Sequence, residues 1–360
     1  VQSLVDKSLL RPLGENRLGE MRFGMLMSIH DYTREKLAAQ DSDAVEALKQ
    51  RHMAFFAAMG EPDALEALSG RDGPAHWWSL AAEVDNLLAA THTAIAHSAA
   101  EEAVRLCSTL HPLARRRKFS LLTERIDAVE QMPVLTDTPI LCSRLLLMRN
   151  HREHPPERWT QILAGYEDAL AVFQATGDRL YTGDALLKIA SLSRDQEQLD
   201  RSEGCLTQAL TIFQQLGHRR LEVEALSAIG NLQFKHSRYQ EAWQTWTHAI
   251  TLCREGEYRS NEANILGLLG MVCRRTGQQQ RALDVYRRAL DMHRDSGNRR
   301  YEAFILGNIG VILMNRGKLS QARDNMEAAL KIHRALGNQR DQSPVLGNLA
   351  VACQLSLIHI

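Results

Sequence analysis

The sequence predicts an all-α protein built mainly from stacked helical hairpins, an α-solenoid. Apolar residues follow helical spacing in paired segments that are separated by turn residues. One such hairpin cannot bury its apolar face alone and must stack on its neighbours. A five-residue motif also recurs every 40 residues, as LLKIA (186–190), LSAIG (226–230), LGLLG (266–270), LGNIG (306–310) and LGNLA (346–350).

Other positions keep the same 40-residue period. We expect each unit to contain a first helix ending near Gly277 or Gly317, a tight turn and a second helix. Gly317 suits a left-handed turn, and the small residues Gly310 and Ala329 allow the two helices to approach closely. The recurring turn glycines between units are Gly177, Gly217, Gly297 and Gly337.

An arginine column shares this period at the starts of the first helices. A cation is unfavourable at that end of the helix dipole. We therefore expect these arginines to pair with an acid of a neighbouring repeat instead of a ligand. The column consists of Arg179, Arg219, Arg259 and Arg299.

The second helices carry a large residue between two alanines, as at Trp246, Tyr286 and Met326. With the small position and the turn glycine, this series resembles the tetratricopeptide repeat in a forty-residue form. The resemblance covers residues 178–354. A worn copy precedes it, since Ile162 and Tyr166 fall in register while NHREHPPERW (150–159) replaces the usual turn. The predicted repeat array therefore spans residues 138–354.

The resemblance implies a concave face lined by chosen positions of each first helix, where a protein, a peptide or a small-molecule inducer would bind. Amide and cationic side chains at one end of this groove would clamp a carboxylate or an acidic peptide. Ordinary solvated helix faces are the alternative. The predicted groove residues are Asp184, Glu224, Asn231, Lys235, Asn264, Met271, Arg274, Arg275, Phe304 and Asn315.

Residues 1–45 predict a helix, a β-hairpin and a second helix, with MRFGML (21–26) as a strand. This order resembles the winged-helix domain of STAND or NB-ARC ATPases, in which a Met-His-Asp motif senses bound ADP. Here the triplet is Ile29-His30-Asp31. The resemblance implies that His30 contacts the β-phosphate. The alternative is a surface histidine on a helix that Ser28 caps and Asp31 stabilises.

Residues 46–137 predict a helical linker or degenerate helical repeats. The segment WWSLAAEVDNLLAATHTAI (77–95) resembles the helical segment that follows the ATPase module in STAND regulators. A basic cluster, RRRK (115–118), aligns with an inter-helix turn and is expected to be solvated, with phosphate contact as the alternative. The expected core residues of this linker are Trp78, Leu80, Val84, Leu87, Leu88 and Ile95.

Both ends of the sequence indicate a fragment of a longer chain. It begins at Val1 inside an amphipathic helical pattern. At the other end, LSLIHI (355–360) breaks the repeat, with Leu357 in place of the turn glycine. We expect residues 355–360 to be a non-native tail, with the apolar end of a capping helix as the alternative.

Composition limits the classes of partner. The chain has 43 basic and 43 acidic residues among 360, so no global field attracts it to nucleic acid, and we expect no direct nucleic-acid binding. Neither a membrane span nor a signal peptide is recognisable, which favours a cytoplasmic protein. We expect reduced thiols packed in the core at Cys107, Cys142, Cys205, Cys253, Cys273 and Cys353.

No catalytic signature occurs in the sequence. The only Gly-Lys pair, Gly317-Lys318, precedes Leu319 and so cannot complete a P-loop. His151 and His154 have the wrong spacing for a zinc site. We expect no catalytic residue, metal or cofactor in this chain, whereas ADP or ATP would bind upstream in the full-length protein.

These features predict the partner-sensing repeat region of a truncated signal-transduction or transcriptional regulator whose ATPase switch lies upstream. A stand-alone repeat scaffold without a nucleotide switch is the first alternative. The second is the recruitment arm of an enzyme, such as a cyclase or a kinase, whose catalytic domain lies upstream. A P-loop upstream separates the first reading from the scaffold.

Overall fold

Two short strands precede a helical chain in the computed structural model. Strand β1 (Arg11–Glu15) pairs antiparallel with β2 (Met21–Gly24). The predicted sensor residues His30 and Asp31 lie outside the described residues. The structure describes residues 11–15, 21–24, 35–36, 42–68, 70, 73–116, 120–149, 154–337 and 339–358.

The linker is a bundle of short helices with its own apolar core. Leu87 is fully buried and Leu80 is buried, as predicted, and the other four predicted core side chains pack against this cluster. The basic cluster begins at the end of the fifth helix, and residues 117–119 lie outside the described part. The linker helices are α1 (Ser42–Ala57), α2 (Pro62–Ala67), α3 (Gly73–Ala82), α4 (Val84–Ala96), α5 (Ala100–Arg116) and α6 (Ser120–Glu130).

The worn copy forms a helical hairpin from α7 (Pro139–Met148) and α8 (Trp159–Thr176). Tyr166 is fully buried at the in-register position, and its hydroxyl donates to the carbonyl oxygen of Arg149 at 2.9 Å. Two helices and a buried in-register residue are therefore present here, although NHREHPPERW replaces the usual turn in the sequence.

The regular units each contain two helices joined by a short turn, which confirms the predicted hairpins. Each hairpin packs on the next, so that their apolar faces form continuous core clusters. The first helices are α9 (Arg179–Asp195), α11 (Arg219–Lys235), α13 (Arg259–Arg275), α15 (Arg299–Asn315) and α17 (Gln339–Ile358). The second helices are α10 (Leu199–Leu216), α12 (Tyr239–Glu255), α14 (Gln279–Asp295) and α16 (Leu319–Ala335).

Within three hairpins, a glycine of the first helix faces a large buried side chain of the second. A methyl group added at any of these glycines would lie 2.3 to 2.7 Å from that side chain, closer than atoms can approach. Glycine therefore sets the distance between the two helices. The facing pairs are Gly230 with Trp246, Gly270 with Tyr286, and Gly310 with Met326.

The turns use left-handed backbone at regular positions. Gly277 and Gly317 have φ of +78° and +72°, as predicted, and the glycines between units are also left-handed. The same conformation is adopted by Glu197, Ser237 and Glu257, which occupy equivalent positions without being glycine. Side chains there cost about 1–2 kcal/mol each, so the stacked helices on either side must impose the turn.

The prediction that all six cysteines are core residues is wrong for two of them. Cys107, Cys253 and Cys273 are buried, and burial raises the pKa of Cys107 and of Cys253 to about 12. Cys142 and Cys353 are exposed. Cys353 occupies the position of Cys273, but no second helix covers it within the described residues.

The last helix runs straight through the position where earlier units turn. Helix α17 continues to Ile358, whereas the equivalent first helix α15 ends at Asn315. The non-native tail and the capping-helix alternative both stay predictions. Among the described residues, no helix is both long enough and apolar enough to span a membrane.

We expect Gly270→Ala to destabilise the protein by about 1–3 kcal/mol, because the new methyl group would overlap the ring of Tyr286. Gly204→Ala is the matched control, since that helical glycine faces open space. The control should stabilise the protein by up to about 1 kcal/mol. Urea unfolding measures both changes, and equal effects would contradict the spacing role of Gly270.

We expect the stability conferred by His333 to fall as the pH drops below about 6.5. Burial lowers the pKa of this histidine, Arg300 lowers it further and Asp341 opposes the shift. The unfolded chain therefore takes up the proton more readily than the folded chain. His333→Phe, which copies the equivalent Phe213, should show a smaller loss of unfolding free energy between pH 7.5 and 5.5. An identical loss in both proteins would contradict this assignment.

Candidate functional site

All ten predicted groove residues lie on the first helices α9, α11, α13 and α15. Successive first helices are in direct contact with one another, whereas successive second helices approach less closely. Every one of the ten side chains is exposed or half-buried. We refer to this surface as the first-helix face.

One end of the first-helix face is acidic. Glu224 pairs with Arg220 of the same helix at 2.9 Å, so its charge is partly neutralised. Asp184 lies on the neighbouring helix α9 near Tyr181. Burial raises the pKa of Tyr181, the guanidinium of Arg144 opposes the shift and the Asp184 carboxylate adds to it.

Amide side chains and a methionine occupy the middle of the first-helix face. The amide nitrogen of Asn231 donates to the carbonyl oxygen of Ser227 at 2.9 Å, which holds the side chain along its own helix. Oδ1 of Asn264 is shielded from solvent and accepts no hydrogen bond from the described residues. Met271 is half-buried and packs against the core. This region therefore presents both polar and apolar groups to a partner.

The opposite end of the face is basic. Lys235 donates from Nζ to the carbonyl oxygen of Arg194 at 2.8 Å, which satisfies a carbonyl near the end of α9. Arg274 is half-buried near Tyr286; burial raises the pKa of that phenol, and Arg274 opposes the shift. Arg275 is exposed in the last turn of α13. Arg275 and Lys235 are both exposed, whereas Arg274 is half-buried.

The helix α15 adds an exposed aromatic ring to this face. Phe304 is 36% exposed and lies edge-on to Tyr301, with ring centroids 6.5 Å apart. Asn315 is exposed at the end of the same helix. An exposed phenyl ring on a surface that otherwise carries amides and charges is the type of anchor that interfaces bury.

The expected pairing of the arginine column with a neighbouring repeat's acid is wrong at three positions. Arg219 pairs with Glu222 at 3.0 Å, three residues along the same helix, and Arg299 pairs with Glu302 in the same way. Arg179 donates to the amide oxygen of Gln215 in the second helix of its own unit. The arginines at 219 and 299 reach acids of their own first turn, because residues three apart share a helix face.

These acids form a buried column that the sequence reading missed. Glu222, Glu262 and Glu302 recur every 40 residues and are only 3, 7 and 5% exposed. Arg254 contacts Glu262 at 2.9 Å, and Arg294 contacts Glu302 at 3.1 Å. Each pair joins a second helix to the next first helix, so the column is structural. The sequence does contain a signal for this column, because the glutamates recur with the same 40-residue period as the arginines.

A metal site is not apparent in the described part of the chain. No group of three or more His, Cys, Asp or Glu side chains is arranged to hold an ion among those residues. His151 of the HREH segment lies outside them.

Comparison with known families supports the repeat assignment. Two family models described as tetratricopeptide repeat match residues 221–295 and 305–339. The chain carries tetratricopeptide repeats. The matched ranges include most of α11 and α15 and all of α12, α13, α14 and α16, where the glycine and large-residue pairs lie. A search of curated protein sequences returns no match.

Three solved structures illustrate the similarity of the fold. A Rap protein complexed with competence and sporulation factor aligns with a TM-score of 0.59 and 14% identity over 86% of each chain. NprR in complex with its cognate peptide NprX aligns with a TM-score of 0.51 and 13% identity. That alignment covers 69% of this chain and 76% of the NprR chain. A STAND protein with a tetratricopeptide repeat sensor from Pyrococcus horikoshii aligns with a TM-score of 0.51 and 16% identity.

The alignment with the Pyrococcus horikoshii protein includes 98% of this chain but only 48% of that chain. This chain thus spans about half the length of that protein. At these identities the three likenesses show the fold alone.

We expect Glu302→Ala to destabilise the protein by about 2 kcal/mol, because Arg294 and Arg299 lose a buried charged acceptor. Glu327→Ala is the control, since its pair with Arg323 is exposed on both sides. The control should change stability by less than about 0.5 kcal/mol. Thermal or urea unfolding compares the two variants. Equal losses of unfolding free energy would contradict a stabilising role for the buried glutamate column.

Proposed function

We propose that this chain is a sensor region that binds a protein or peptide partner on the first-helix face. The observation that carries the proposal is the accessible pair Phe304 and Arg275 on the first helices of consecutive repeats. An aromatic anchor and an arginine are the residue types that contribute most binding energy at interfaces. The contact between successive first helices supports the concave side of the stack as the location of this face.

The charge distribution favours an extended peptide with an acidic end. Arg274 and Arg275 would bind its carboxylates, while the opposite end with Asp184 and Glu224 would accept cationic or neutral groups. The similar Rap and NprR structures contain a factor and a peptide, respectively. These complexes support a peptide partner over the small-molecule inducer, which stays an outcome of the binding test.

In the full-length protein, we propose that partner binding controls an upstream ATPase switch in a cytoplasmic signalling or transcription regulator. Residues 1–45 would be the remnant of its winged helix, and the pairing of β1 with β2 supports that assignment. His30 would contact the β-phosphate of ADP, with Asp31 stabilising the helix end. A partner with higher affinity for the open state would shift the population toward it.

The scaffold and the recruitment arm remain the two alternatives to this switch. The similarity to a STAND protein with a repeat sensor favours the switch over both. Reading the coding sequence upstream of Val1 tests all three. A P-loop within about 150–300 residues upstream would support the switch. A nearby start codon would support the scaffold, and a cyclase or kinase domain would support the recruitment arm.

We expect Arg275→Glu to weaken binding of acidic peptides at least tenfold, because the substitution places a negative charge where a carboxylate would bind. Peptides would be selected from a random display library, and their affinities measured by calorimetry. Arg287→Glu is the matched control, since Arg287 is 64% exposed on the second helix α14. Equal losses in both variants, or binding unaffected by Arg275→Glu, would place the binding surface elsewhere.

A further inference from the structure

Two linker helices contact the edge of the repeat array where each unit joins the next. Helices α11 and α13 begin after His218 and Tyr258, which are their N-cap residues. Gly297 lies in the corresponding turn before α15. Side chains of α2 and α3 contact all three of these turn residues. We refer to α2 and α3 together as the strap.

A single carboxylate of the strap reaches two consecutive repeats. Oε2 of Glu66 lies 3.6 Å from Nε2 of His218, and the hydroxyl of Tyr258 lies 3.5 Å from Oε1. Both partners are at helix N-termini, where the helix dipole favours a negative charge. Burial raises the pKa of Tyr258, and the nearby Glu66 carboxylate adds to the shift. The charge of Glu66 therefore complements this edge.

The second strap contact is steric. A methyl group added at Gly297 would lie 2.5 Å from the indole of Trp78, so the ring rests directly on this turn. The adjacent Trp77 is 1% exposed in the linker core, and the two indole rings meet edge to face at 4.7 Å. Trp78 thus connects the core of the linker to the turn at Gly297, which precedes α15.

The strap is also anchored at its beginning. Glu61, the residue before α2, pairs with Arg105 of α5 at 2.8 Å. One side of the strap is therefore tied to the linker bundle, and the other touches three successive turns. The two polar contacts of Glu66 with the turns, at 3.5 and 3.6 Å, are at the outer limit of hydrogen-bonding distance, where small displacements abolish them. These contacts consequently depend on the spacing between repeats.

We propose that the strap responds to the spacing of the repeats. It is seated on the three turns in this conformation, and it leaves them when a partner changes that spacing. The proposal rests on the proposed function, because the partner is the one that binds the first-helix face. Repeat units otherwise contact only their neighbours, so a change of curvature would need an element that spans several units to reach the linker. The strap is such an element.

The seating of the strap is tested without any partner, by hydrogen exchange of the purified chain. Gly297→Ala should accelerate amide exchange in α2 and α3 roughly tenfold, because the methyl group displaces Trp78. Gly177→Ala is the matched control: it has a similar left-handed φ of +72°, compared with +66° at Gly297, but faces open space. The control shares the backbone strain without the steric contact.

Glu66→Gln provides a second variant without backbone strain. It should accelerate exchange in α2 by a smaller factor, because it removes the charge facing His218 and Tyr258. Acceleration by Gly297→Ala and Glu66→Gln but not by Gly177→Ala would support a seated strap. Unchanged exchange in α2 and α3 for both variants, or equal acceleration by Gly297→Ala and the control, would overturn it.

Coupling to binding is tested with a peptide selected on the unmodified chain. If the peptide favours the released spacing, Gly297→Ala should tighten its binding about threefold or more, because linkage is reciprocal. Saturating peptide should also accelerate exchange in the strap of the unmodified chain. Unchanged affinity and exchange would overturn the coupling. Failure of peptide selection itself would instead count against the proposed function, since the partner-free experiment reports on the strap separately.

Discussion

The close approach of a glycine in the first helix to a large side chain in the second fixes the helix spacing in three hairpins of the repeat array. With only a hydrogen atom at Gly230, the indole of Trp246 lies against the helix backbone, where its nitrogen donates to the Ser227 carbonyl oxygen at 3.2 Å. Close packing of this kind fixes the distance between two helices within narrow limits. Three hairpins share this contact, with tryptophan, tyrosine or methionine as the large partner.

The buried glutamates supply a second, polar constraint between units. Glu262 is held by Arg254 of the preceding helix and by Arg288 of the following one. An apolar interface alone tolerates sliding, whereas a buried carboxylate with two guanidinium partners is satisfied in only one arrangement. The apolar pairs thus determine the shape of each hairpin, and the charged pairs determine how one hairpin is placed on the next.

The repeat array was predictable because its determinants lie at a constant period in the sequence. Turn glycines such as Gly317 and buried residues such as Tyr286 each recur in register. The contacts of Glu66 with His218 and Tyr258 have no period, since they join segments about 150 to 190 residues apart. The left-handed conformation of Glu197 was also missed, because packing of the flanking helices overrides the residue preference there. For the candidate site, the period placed the residues on the first helices, but it gave no information on which side chains already had partners.

A stack of repeats has a limited capacity to transmit a local event. Binding at the first-helix face of α13 and α15 changes contacts with the adjacent units, and any effect at the linker requires many small changes to add. An element attached to several turns at once removes this limitation, because Glu66 and Trp78 sense the relative positions of three units directly. Such contacts must also be weak to be useful. A strap held by a strong network would resist release, whereas contacts near the limit of hydrogen bonding respond to a binding energy of a few kcal/mol.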